Sequence, residues 1–86
     1  PVNDIITEII NLKAVKNIHH IHVWQLNEME THFEAHIDFY EDISLSEFDE
    51  ILHTIEDILN RKFDINHVNI QPEYGKCDDK NLVVQD

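Results

Sequence analysis

From Val2 to about Leu12 the apolar residues Ile5, Ile6, Ile9, Ile10 and Leu12 recur at helical spacing, with Asn3 or Asp4 placed to cap the first amides. The spacing predicts a short amphipathic helix. Ile18 to Leu26 is rich in β-forming and aromatic residues, Asn27-Glu28-Met29-Glu30 suits a hairpin turn, and His32 to Tyr40 alternates apolar with polar. These are two antiparallel strands. Ser44 and Glu47 form a capping box ahead of Phe48, Ile51, Leu52, Ile55, Ile58, Leu59 and Phe63, a continuous helical stripe that Asp64-Ile65-Asn66 ends. His67 to Gln71 then alternates again until Pro72, as a third strand that ends at Glu73. The order α-β-β-α-β predicts an α+β, ferredoxin-like open-faced sandwich: a three-stranded sheet with two helices on one face.

Strand parity sorts the side chains. Phe33, Ala35, Ile37 and Phe39 share one face of the second strand and leave His32, Glu34, His36, Asp38 and Tyr40 on the other. In the third strand Val68 and Ile70 oppose His67, Asn69, Gln71 and Glu73. In the first, Ile21 and Val23 are the expected core residues, which turns His20, His22 and Trp24 outward. Two helices cover one face only, so the other collects imidazoles and carboxylates from three strands.

Composition sharpens this picture. With 86 residues, 6 Lys+Arg against 18 Asp+Glu, and a net charge of -12, the chain is one small acidic domain that should repel nucleic acid and anionic lipid and attract cations. A domain of this size buries roughly 60–65% of its unfolded surface and usually leans on a metal, a disulfide or a partner subunit. Cys77 is the only cysteine, which excludes an internal disulfide and fits a reducing compartment. No stretch of about 18 apolar residues and no signal-peptide pattern is present, so no direct membrane insertion is expected. With Pro1 in place of an initiator Met, the chain is expected to be a piece cut from something larger. After Tyr74 the pattern breaks, and residues 75–86 read as a flexible C-terminal tail behind a domain spanning 1–74.

Zinc takes about four nitrogen, sulfur or oxygen ligands, and imidazole with carboxylate is a common mixture. His19 or His20, His36, His67 and Glu73 supply such a set, although no C-x-x-C or H-E-x-x-H signature accompanies them. The plain alternative is a polar strand face whose histidines are incidental. His22 and Trp24 suit a dimer contact, His53 a solvated helix surface, and His32 an exposed strand end. The acidic run Glu47, Asp49, Glu50, Glu56 and Asp57 reads as the solvated side of the second helix. An enzyme is not expected: there is no Gly-rich phosphate loop, no G-x-S-x-G, and no nucleophile with a base and orienter.

Three blocks together resemble the C-terminal cytoplasmic domain of cation diffusion facilitator transporters. They are Val15-Lys16-Asn17-Ile18-His19-His20-Ile21-His22-Val23-Trp24, Ala35-His36-Ile37, and Phe63-Asp64-Ile65-Asn66-His67-Val68-Asn69-Ile70-Gln71-Pro72-Glu73. The resemblance covers roughly residues 1–74. It implies a metallochaperone-like fold, a homodimer below the membrane, and a zinc-favoured closed dimer that promotes metal efflux by the transmembrane domain of the same full-length transporter.

It also implies ligands at His19, His36 and Glu73, with His67 a weaker candidate. The family motif favours His19 where alternation favours His20, and a bulge at the strand's entry would reconcile them. Gln71 stands where some members carry a further metal-binding histidine or aspartate, and Cys77 is similar to tail cysteines of other members. The cation implied is Zn2+ or a similar divalent ion (Cd2+, Co2+, Ni2+ or Mn2+), which this donor set does not rank. A free-standing metal carrier or sensor, and a dimerisation module without metal, are the alternatives. Imidazole ligates only when neutral, so binding should weaken as pH falls below the ordinary imidazole value of about 6.5.

Overall fold

A computed structural model describes residues 2–75. The elements are α1 (Val2–Ile10), β1 (Val15–Asn27), β2 (Glu30–Phe39), α2 (Leu45–Phe63) and β3 (His67–Tyr74). They form a three-stranded sheet in the order β1-β2-β3, with β1 antiparallel and β3 parallel to the central β2. Cys77 and all of the expected tail beyond Gly75 lie outside the described residues.

Each element follows from its local sequence. Ser44 caps α2: its Oγ accepts from the Glu47 backbone N–H at 3.1 Å, while Glu47 Oε1 accepts from the Ser44 backbone N–H at 3.1 Å. Asp64 ends the helix in the left-handed region (φ 58), its N–H returned to Asn60. Ile5, Ile6 and Ile9 from α1 and Ile55 and Leu59 from α2 are buried against Ile18, Ile21, Phe33, Ala35, Ile37, Phe39 and Ile70 of the sheet. The second strand alternates as its sequence requires, with its apolar residues toward the helices.

Two expectations, on Val23 and His32, need correction. Val23 has core parity, pairing with Phe33, yet is 37% exposed, within a run from His22 to Asn27 that is exposed on both faces. β3 runs through Pro72 to Tyr74, one residue past the expected end at Glu73: it is an edge strand, where a residue without N–H can be accommodated. His32 is half-buried rather than an exposed strand end, its ring lying between those of Trp24 and His67. His53 is exposed on α2, as its position among polar residues suggests.

Candidate metal centre

The register lays the helix-free face out in rows across the sheet. Asn17, Asp38 and Glu73 form one row, His19, His36 and Gln71 the next, then His22, Glu34 and Asn69, and finally Trp24, His32 and His67. Every histidine except His53 lies on or beside this face.

β1 reaches it by breaking alternation. Ile18 and Ile21 are both fully buried although three residues apart, which a regular strand forbids. The ladder shifts between His19 and His22, and His20 at the shift has φ 53. This bulge absorbs one extra residue, so His19 and His20 sit side by side instead of on opposite faces. Each of them offers a ring nitrogen, and with His36 these nitrogens lie within 4.8 Å of one another. Ring centroids are 5.1 Å apart for His19 and His20, 5.4 Å for His19 and His36, and 4.8 Å for His20 and His36.

Glu73 ties the cluster together from β3. One carboxylate oxygen stands 3.0 Å from His19 Nε2 and the other 2.9 Å from His36 Nδ1. The Gln71 amide also reaches it, at 3.4 Å. His19 is completely buried and the Glu73 side chain nearly so, while His36 is about one-third exposed and lines, with His20, His22 and Gln71, a cleft of about 300 Å³. Solvent thus reaches the cluster from the His20 and His36 side.

The donor chemistry fits a borderline divalent cation. Ligand atoms about 2.0–2.1 Å from zinc at tetrahedral angles stand about 3.3–3.4 Å apart. The two imidazole–carboxylate separations are already within a few tenths of an ångström of that. His67 does not join this group: it pairs with His32 at the far end of the face, its Nε2 3.1 Å from Glu30 Oε2. Alternation had put Asp38 on this face but gave no sign that it is 1% exposed, with neither carboxylate oxygen hydrogen-bonded.

The left-handed backbone at His20 carries a cost of about 1–3 kcal/mol for a residue with a Cβ. His20→Gly is therefore expected to raise the thermal midpoint while weakening cation binding. Opposite shifts measured on one variant would separate the ligand role from the structural one, and a lower midpoint would show that the His20 side chain holds the bulge together.

Solved structures share this architecture. The metal-bound C-terminal domain of the CzcD transporter from Cupriavidus metallidurans superposes with a TM-score of 0.71 at 29% identity, over 84% of this chain and 96% of that one. Residues 1–74 match the model of the cation efflux protein cytoplasmic domain, and the chain belongs to that family. Full-length relatives include the zinc transporter ZitB of Pectobacterium atrosepticum, 34% identical over 73 residues and 81% of this chain. Another is the cadmium, cobalt and zinc/H(+)-K(+) antiporter of Bacillus subtilis, 35% identical over 83 residues and 96% of this chain. The match takes up 21% of the first and 26% of the second, so the chain spans about a quarter or less of these relatives. Among the described residues no helix is long and apolar enough to cross a membrane.

Proposed function

We propose that this chain is the cytoplasmic metal-sensing and dimerisation domain of a cation diffusion facilitator transporter. In this reading His19, His36 and Glu73, with His20 at the mouth of the cleft, hold Zn2+ or a similar divalent cation and thereby regulate efflux by a transmembrane domain. The observation that carries it is the Glu73 carboxylate, which faces His19 with one oxygen and His36 with the other at 3.0 and 2.9 Å. Three strands deliver these groups from positions far apart in sequence. The cation-transporting relatives and the metal-bound CzcD domain support the same reading.

Charge supplies a route from binding to regulation. Two protomers of net charge -12 resist close approach within the screening length of about 8 Å at physiological salt. A closed pair whose ligands hold the cation more tightly than an open pair gains population by that difference in affinity. Imidazole ligates only when neutral, so cation binding, and with it the closed state, is favoured at neutral rather than acid pH.

Calorimetric titration of zinc into the metal-stripped chain at neutral pH, with His36→Ala alongside, tests the assignment. The expected result is saturable binding to the wild type that falls by one zinc equivalent per chain in the variant, with its fold retained, because His36 lies off the core. Equal binding by both proteins would remove the cluster from consideration as the sensor. Unfolding of the variant would show that His36 holds the sheet and not a ligand.

A further inference from the structure

We infer that the opposite end of the same sheet face carries a second divalent-cation site, built from Glu30, His32 and His67. Glu30 and His32 are two apart on β2 and share its helix-free side, and His67 is the cross-strand partner of His32 on β3. The three offer one ligand atom each, all within 4.8 Å of one another. His67 Nε2 and Glu30 Oε2 stand 3.1 Å apart, close to the spacing of two ligands on one tetrahedral zinc. His32 Nε2 is buried and has no hydrogen-bond partner. A ring nitrogen in that position is held without compensation until something coordinates or donates to it.

The surroundings are built to hold these groups still. Asn27 Nδ2 donates to the second oxygen of Glu30 at 2.8 Å, fixing the carboxylate that faces His67. Asn66, immediately before His67, accepts from the Thr31 N–H at 2.9 Å and donates to the Met29 carbonyl at 2.6 Å, clamping the start of β3 to the hairpin. A cleft of about 260 Å³, lined by Trp24, His32, His67 and Asn69, leaves room for water as a fourth ligand. Two imidazoles and one carboxylate with an open position suit zinc and its first-row neighbours rather than calcium or magnesium. His36 lies four residues along β2 from His32, about 13 Å at strand spacing, so the two sites are separate.

The site has its own reporter. Trp24, the single tryptophan, stacks on His32 with ring centroids 5.0 Å apart, and His32 stacks on His67 at 4.3 Å with the planes 11° from parallel. Two near-parallel imidazoles converge on one ion only if a ring tilts, which disturbs the stack on Trp24. Zinc chloride titrated into the metal-stripped chain should therefore give a saturable change in Trp24 emission that persists in His36→Ala. His67→Ala should abolish it, and Glu30→Gln should move it to zinc concentrations at least about tenfold higher, since losing even an outer-shell partner commonly costs 10–100-fold in affinity. The inference falls if wild-type emission does not respond while calorimetry registers zinc. It falls equally if His36→Ala removes the response, or if neither Glu30→Gln nor His67→Ala alters it. The sensor assignment is read from the loss of one zinc equivalent of calorimetric heat in His36→Ala and this site from Trp24 emission, so either reading can fail while the other stands.

Discussion

Glu73→Gln is expected to lower zinc affinity by about a hundredfold or more, as measured by calorimetric titration at neutral pH. Glu73 is the only anionic group among the four residues of the candidate centre, and both of its oxygens face imidazoles. The substitution keeps the shape of the side chain and one acceptor oxygen but removes the charge that complements a divalent cation. Losing an outer-shell partner of a metal ligand commonly costs 10–100-fold, so losing the charged ligand itself should reach at least the top of that range. The fold should tolerate the change, because a neutral imidazole can switch tautomer and accept from the new amide. Unchanged affinity would mean that the three imidazoles suffice and that Glu73 serves only to orient them.

The parts of the structure legible in the sequence are those governed by local rules. Ser44 and Glu47 announce the start of α2 because a capping box is a contact across three residues, and the stripe from Phe48 to Phe63 fixes its inward side. Phe33, Ala35, Ile37 and Phe39 fix the face of β2 because an unbroken strand has period two. Alternation alone gathered His36 and Glu73 with either His19 or His20, and family resemblance favoured His19, because its position depends on a backbone irregularity. Nothing in the composition of His19-His20-Ile21 specifies a bulge with φ 53 at His20, yet that one angle decides that both histidines reach the same face.

His67 shows the opposite limit. Parity placed it correctly on the open face, but which histidine it meets depends on the register of a parallel pair joined through a whole helix. That register sets it opposite His32, and Glu73 rather than His67 arrives beside His36. The exposure of Val23 and the passage of β3 through Pro72 likewise depend on how far the helices extend and which strands lie at the edge. These are properties of assembly, invisible to a pattern read along one chain segment.

Phe33→Ala is expected to destabilise the domain by about 3–5 kcal/mol, the usual cost of truncating a buried phenylalanine. Phe33 is 1% exposed at the centre of β2, between Val23 on one neighbour and Val68 on the other. Since small domains hold only about 5–15 kcal/mol in total, the metal-free variant should be largely unfolded or melt far below the wild type in urea. Zinc should partly reverse this, because a ligand that binds only the folded state adds about 2.7 kcal/mol at a free concentration a hundred times its Kd. The same zinc should do much less for the Phe33→Ala, His36→Ala double variant, whose core defect is identical but whose main centre is gone. Equal rescue of the two would place the stabilising cation elsewhere than on His36. No rescue of either would separate folding from cation binding altogether. Rescue of the single variant alone would show that the cation held at His36 offsets a defect in the core.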